Sequence, residues 1–137
     1  MNKLEDRPPT CAPNVLIVED DSLIRELLAF YLEENGASVK AVATADEGRD
    51  ELMSQRWALM LIDVQTPGML NGVDLAWIAS QQRLGTRIVV MSGYFDFAGR
   101  ALPDGAVFLT KPWPMTKLRE IIAKEFALAD VMELPAT

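Results

Sequence analysis

Histidine is absent from the 137 residues of this chain, and cysteine occurs once, as Cys11. A Cys/His metal site, an intrachain disulfide, a histidine general base and a phosphodonor histidine within the chain are therefore excluded. No apolar run approaches the ~20 residues that a membrane-spanning helix needs. Because residues 1–13 also lack an apolar signal-peptide core, we expect a cytoplasmic protein that does not bind a membrane.

Basic residues are fewer than acidic ones, 13 against 20, which gives a net charge of −7. Nucleic acid is therefore not an expected ligand, since phosphate contacts require a surplus of Lys and Arg. An oxygen-rich site for a hard cation remains possible. The length suits one domain, and we expect a proline-rich flexible lead over residues 1–13, the domain over 14–130 and a tail over 131–137.

Apolar runs alternate with helical patterns along the chain. The predicted strands are Val15–Val18, Ser38–Val42, Ala58–Ile62, Arg87–Met91 and Ala106–Thr110. Five helices are predicted between and after these strands. The first is capped by Ser22 and ends near Asn35, and the second begins at the Thr44/Glu47 capping box. The third covers Gly72–Gln82, the short fourth covers Asp96–Ala101, and the fifth begins at about Pro114. This alternation predicts an α/β fold with a doubly wound, five-stranded parallel sheet.

Polar residues stand where four of the predicted strands end. Ligands of doubly wound sheets bind at this edge. Taken singly, each residue has an ordinary structural explanation, since acids often begin helices, Ser-Gly forms turns and lysines are usually solvated. The residues are Glu19, Asp20 and Asp21 after the first strand, Asp63 after the third, Ser92 after the fourth and Lys111 after the fifth.

Taken together, these residues make one coherent site. Carboxylates from two strand ends suit Mg²⁺, which would keep Asp63 ionised and able to act as a nucleophile. A phosphoryl group on Asp63 would then have counter-charges in Mg²⁺ and Lys111, and a hydrogen-bond donor in Ser92. The set therefore indicates phosphoryl transfer to an aspartate.

The segments "VEDD", "LIDVQTPG", "MSG" and "KP" occur in this order at successive strand ends. In these motifs, from about Val15 to Ala129, the chain resembles response-regulator receiver domains of two-component signalling. The resemblance implies a flavodoxin-like fold with strand order 2-1-3-4-5. It also implies the phosphoacceptor Asp63, the Mg²⁺ ligands Glu19, Asp20, Asp63 and the Gln65 carbonyl, the switch residues Ser92 and Phe108, and the phosphate-binding Lys111 before a cis peptide to Pro112.

The chain departs from the common pattern of this family at several places. Glu19 stands where aspartate is more usual, Thr66 replaces an apolar residue, and the loop "TPGMLNG" is one residue longer. The interval from Ser92 to Phe108 is about one helical turn short and is rich in aromatics. Gln65 and Tyr94 are expected to modulate the phosphate site, Phe95 or Phe97 to pack the short helix, Trp57 and Trp77 to pack near the third strand and helix, and Trp113 to offer a partner contact.

The leading functional hypothesis is a single-domain response regulator, a signalling module more than an enzyme. A histidine kinase or phosphotransfer protein would phosphorylate Asp63. The fourth helix, fifth strand and fifth helix would then bind an output protein, with the chain a monomer or a weak phosphorylation-dependent dimer. The alternatives are a pseudo-receiver that binds constitutively, and a haloacid-dehalogenase-type phosphatase, whose second acid would be replaced by Gln65.

Overall fold

The structure, a computed structural model, describes residues 12–82, 85–93, 101–113 and 115–133, with side chains of the last helix described as far as Glu125. Five parallel strands form one sheet in the order β2-β1-β3-β4-β5, which confirms the predicted fold. In chain order the elements are β1 Asn14–Val18, α1 Ser22–Glu34, β2 Ser38–Val42, α2 Ala45–Ser54, β3 Leu59–Asp63, α3 Gly72–Gln82, β4 Arg87–Ser92, β5 Val107–Thr110 and α4 Met115–Glu133.

The bounds of these elements follow local chemistry. Thr44 caps α2 through its hydroxyl, which accepts a hydrogen bond from the Glu47 N–H at 3.1 Å, as the capping-box pattern predicts. The prediction that Ser22 caps α1 is wrong. Ser22 is the first helical residue, and the cap is Asp21, whose Oδ1 accepts hydrogen bonds from the N–H groups of Leu23 and Ile24 at 2.9 and 3.1 Å.

Side chains of successive residues in the central strands point to opposite faces of the sheet, and each face is covered by two helices. All five residues of β3 are buried, as the unbroken apolar run predicts. One core cluster lies between the sheet and α2 and α3, and it includes Leu16, Met60 and Ile62. The other lies between the sheet and α1 and α4, and it includes Ile17 and Leu61.

Tight packing brings α3 against the end of β3. Gly72 opens α3, and its N–H donates a hydrogen bond to the Val64 carbonyl at 2.9 Å. A Cβ at this position would collide with the Asp63 carbonyl and would lie 2.7 Å from Val64 Cα. Glycine is therefore required where the helix crosses the residue after the phosphoacceptor candidate.

Some predictions fall on parts of the chain that the structure does not describe. The short helix predicted over Asp96–Ala101 falls on residues 96–100, which lie outside the described ranges, and on Ala101, which is in neither a helix nor a strand. The domain boundaries stay a prediction, and α4 continues through residue 130 to Glu133. Within the described ranges, none of the helices has both the length and the apolar character to cross a bilayer.

Candidate functional site

The acidic residues after β1 are held by the backbone around them. The N–H of Glu19 donates a hydrogen bond to the Val42 carbonyl at 3.1 Å, which continues the β1–β2 pairing by one residue. Arg25 Nη1 donates to the Glu19 carbonyl at 2.8 Å and lies 3.4 Å from the Asp20 carbonyl. The Glu19 side chain is completely buried, whereas Asp20 is exposed. The two acids therefore reach the same edge of the sheet from different depths.

Asp63 is the last residue of β3 and is only 5% exposed. Its Oδ1 accepts a hydrogen bond from the N–H of Gln65 at 3.3 Å, and its Oδ2 lies 3.3 Å from Lys111 Nζ. Both carboxylate oxygens thus have partners that fix the orientation of the side chain. A buried carboxylate held in this way at the end of a central strand fits the role of an oriented nucleophile.

Lys111 reaches the site from the edge strand β5. Its backbone N–H donates to the Ser92 carbonyl at 2.8 Å, and its peptide bond to Pro112 is cis, as predicted. The ammonium lies 2.6 Å from Glu19 Oε1 and 5.8 Å from the ring centroid of Trp113. Lys111 therefore bridges the acids of β1 and β3 and also contacts an aromatic face.

Burial and like charge affect the ionisation of the site. Burial and, after it, the neighbouring Asp63 carboxyl together raise the pKa of Glu19 to about 8, against the smaller lowering effect of Lys111. Burial alone would lower the pKa of Lys111. The hydrogen bond to Glu19 and the charge of Asp63 outweigh this effect and raise the pKa above its usual value. Lys111 therefore stays charged, and its ammonium group is shared between the carboxyl groups of Glu19 and Asp63.

The carboxyl groups have the arrangement that a divalent cation requires. One carboxylate oxygen from each of Glu19, Asp20 and Asp63 lies within 4.8 Å of the others. Glu19 Oε2 is buried and has no hydrogen-bond partner among the described residues. A buried carboxylate oxygen without a partner is costly unless a donor or a cation satisfies it. The donor set and this orphaned oxygen both fit an oxygen-ligated cation such as Mg²⁺.

The loop after β3 is fastened to the start of α2. Asp46 accepts hydrogen bonds from the N–H groups of Met69 and Leu70 at 2.9 and 3.1 Å. The hydroxyl of Thr66 accepts one from the Ala45 N–H at 3.2 Å. Gly68 has a φ of 114°, and a Cβ there would collide with the Asp46 carboxylate. The loop that is one residue longer than usual is thus fixed by polar contacts that the sequence analysis missed.

The remaining predicted residues occupy different depths. Ser92 ends β4 and is buried, Phe108 is half-buried in β5, and Gln65 is exposed. Trp113 is half-buried and packs against the core cluster beneath α1 and α4. Its predicted role as a partner contact stays a prediction. Tyr94, Phe95 and Phe97 lie outside the described residues.

The other two tryptophans have the packing roles predicted from the sequence. Trp57 is buried, and its Nε1 donates to the Glu51 carbonyl at 2.9 Å. Trp77 packs against the core, and its Nε1 donates to the Ala101 carbonyl at 2.8 Å. Trp77 thereby fixes the segment before β5 to α3.

Arg25 is a site residue that sequence reasoning missed. A signal for it exists, because the first turn of a helix favours acids over cations. A cation four residues after the helix cap therefore indicates a specific partner, which here is the carbonyl of Glu19.

The fold is a five-stranded parallel α/β sheet, and an acidic cluster with a buried aspartate and a lysine lies at the carboxyl ends of its strands. The family model of the response regulator receiver domain matches residues 15–123, and the chain belongs to this family of two-component signalling. The response regulator protein PilR of Pseudomonas aeruginosa is 34% identical over 82% of this chain and 26% of its own length. The chain spans about a quarter of the length of PilR and up to about three fifths of the length of other curated relatives that it matches.

Solved structures show the same fold. A CheY-like response regulator receiver domain protein of Methanospirillum hungatei superposes with a TM-score of 0.76 at 26% identity, over 88% of this chain and 98% of that one. The response regulator TrrA of Thermotoga maritima, solved in complex with Mg²⁺ and BeF, has a TM-score of 0.71 at 23% identity, over 82% and 98% of the two chains.

Proposed function

We propose that this receiver domain accepts a phosphoryl group on Asp63 from a phosphohistidine of a histidine kinase or a phosphotransfer protein. The observation that carries the proposal is the double restraint on the Asp63 carboxylate, by the Gln65 N–H and by Lys111, both at 3.3 Å. These two contacts fix the orientation of the Asp63 side chain at the end of β3. The encounter would take place in the cytoplasm.

In the transfer step, a carboxylate oxygen of Asp63 forms a bond to phosphorus while the phosphorus–nitrogen bond of the donor breaks. The electron pair of that bond leaves with the imidazole, which takes up a proton. Lys111 neutralises charge on the phosphoryl oxygens, for which its ammonium has to move from Glu19, 2.6 Å away. Ser92, buried at the end of the neighbouring strand, supplies a hydroxyl donor.

Glu19, Asp20 and Asp63, with the Gln65 carbonyl, would hold Mg²⁺. The cluster of three carboxylates and the orphaned Glu19 Oε2 support this assignment. When bound, the cation neutralises negative charge on the incoming phosphoryl group. The TrrA structure shows Mg²⁺ with BeF in a protein of this fold. Glu19 differs from the usual aspartate by one methylene, and its longer side chain reaches Lys111 as well.

Phosphorylation would transmit the signal by changing the affinity of the domain for another protein. Ser92 would move toward the phosphoryl group, and Phe108, half-buried in β5, would turn inward behind it. The output surface would consist of the predicted short helix before β5, of β5 itself and of α4, which is the fifth helix of the sequence prediction. Its shape would then differ for an output protein. Single-domain organisation and the monomer or weak dimer state stay predictions, as do the phosphate-site role of Tyr94 and the partner contact of Trp113.

The test is incubation with MgCl₂ and acetyl phosphate, followed by intact mass measurement. We expect one alkali-labile phosphoryl group, which is absent in Asp63→Asn and reduced by EDTA. Asp50→Asn, at an exposed position of α2, is the matched control and should be phosphorylated normally. Failure of the wild-type chain to incorporate phosphate would favour the pseudo-receiver hypothesis.

A further inference from the structure

Arg25 lies in the first turn of α1, directly behind the acidic residues that follow β1. We infer that Arg25 is a positioning residue, which fixes the backbone of Glu19 and Asp20 so that their carboxylates meet at the cation site. This inference rests on the proposed function, because it assumes that these carboxylates bind Mg²⁺. Its guanidinium donates to the Glu19 carbonyl at 2.8 Å and lies 3.4 Å from the Asp20 carbonyl, so it contacts the acids through their main chain.

Arg25 completes the hydrogen bonding of this short turn. The Glu19 N–H is paired with the Val42 carbonyl at 3.1 Å, and the Asp21 carbonyl accepts the Arg25 N–H at 2.9 Å. The Asp21 side chain caps α1. Within the described residues, the guanidinium is the side-chain donor to the carbonyls of Glu19 and Asp20, so its removal would release both from α1. Arg25 therefore connects α1 to Glu19 and Asp20, whose side-chain orientation determines whether their carboxylates can meet at the cation site.

The effect on metal affinity separates two physical roles of Arg25. A positive charge close to a cation site repels the cation, so its removal would by itself strengthen Mg²⁺ binding. Loss of a positioning contact would weaken binding, because groups that orient metal ligands typically contribute 10- to 100-fold in affinity. The two roles therefore predict changes of opposite sign.

The experiment is a calorimetric titration of the full chain with MgCl₂. We expect Arg25→Met to bind Mg²⁺ about tenfold more weakly than the wild type. Arg25→Lys keeps the charge and one donor, and it should recover part of the affinity. The matched control is Arg49→Met at an exposed position of α2, which changes the net charge equally and should bind Mg²⁺ as the wild type does.

Urea unfolding in EDTA is measured on the same proteins. Replacement of a residue that only stabilises the fold would lower the free energy of unfolding and leave the Mg²⁺ dissociation constant unchanged. Unchanged or tighter Mg²⁺ binding by folded Arg25→Met would overturn the inference. If Arg25→Met does not fold, Arg25→Lys decides in the same way, since its affinity must fall measurably below that of the wild type. Absence of Mg²⁺ binding by the wild type would instead contradict the proposed function.

Discussion

Lys111 Nζ lies 2.6 Å from Glu19 Oε1 and 3.3 Å from Asp63 Oδ2, so the buried glutamate holds the lysine more closely than the phosphoacceptor candidate does. The family resemblance implies that Lys111 binds the phosphoryl oxygens. In the structure the same ammonium lies within ion-pair distance of both the Glu19 and the Asp63 carboxyl groups. Glu19 follows β1 and Lys111 follows β5, so these two side chains meet although β3 and β4 lie between their strands in the sheet.

The stability of the metal-free protein should fall as pH rises from about 5 to about 8. Glu19 keeps its proton up to a pKa of about 8 in the folded chain, whereas the unfolded chain releases it near the ordinary glutamate pKa of 4.5. The folded state therefore binds more protons in this window, and raising the pH favours unfolding. We expect the free energy of unfolding to decrease across this range of pH, measured by urea unfolding in EDTA.

Glu19→Gln removes the titrating group and should flatten this pH profile, whereas Glu26→Gln, at an exposed position of α1, should not. The explanation fails if Glu19→Gln keeps the wild-type slope between pH 5 and pH 8.

Replacement of Lys111 by methionine should destabilise the metal-free protein by about 2 kcal/mol or more, because it leaves buried carboxyl groups without their cation. MgCl₂ should restore part of this loss, since the bound cation supplies the missing positive charge. Urea unfolding in EDTA and in MgCl₂ measures both effects. Lys40→Met, at an exposed position of the edge strand β2, is the control. Equal stability of Lys111→Met and Lys40→Met in EDTA would contradict this account.

Gly72→Ala should lower the free energy of unfolding by about 2 kcal/mol or more, because the added methyl group collides with the backbone at the end of β3. Denaturant unfolding gives the measurement. At Gly93 no atom of the described residues lies within 4 Å of the place that a Cβ would take, so Gly93→Ala should change stability little. A Gly72→Ala protein as stable as Gly93→Ala would show that α3 can move away from β3 at little cost.

Asp46→Ala should loosen the loop between β3 and α3. The carboxylate accepts two backbone hydrogen bonds, and hydrogen bonds to charged groups contribute about 1.5 to 3 kcal/mol each. We expect faster hydrogen exchange at the amides of Met69 and Leu70 than in the wild type. Asp50→Ala, farther along α2, should leave both rates unchanged. Full protection of the two amides in Asp46→Ala would mean that other contacts hold the loop.

The sequence was sufficient to predict the sheet and the meeting of Glu19, Asp20, Asp63 and Lys111 at one edge of it. Buried parallel strands read as unbroken apolar runs, and the carboxyl ends of parallel strands meet at one edge. The adjacency of Asp63 and Lys111 follows from these two rules, although 48 positions separate the residues.

Contacts that depend on the extension of a side chain or on the course of a loop could not be predicted from the sequence. The contact between Glu19 Oε1 and Lys111 Nζ depends on the length and conformation of two flexible side chains. The bonds from Asp46 to Met69 and Leu70 depend on the course of a loop with one extra residue. The cap of α1 was predicted one residue too late, at Ser22, because serine and aspartate both favour this position and only the backbone conformation identifies Asp21.

The order of the strands has a consequence for a chain that is still being synthesised. Glu19 and Lys111 are 92 positions apart, and the lysine follows β5, the strand at the edge of the sheet that is made last. A nascent polypeptide with β1 to β4 already paired would hold its acidic residues together without their lysine. The lysine that the proposed phosphoryl transfer requires would thus join the acidic residues only when the final strand has been made.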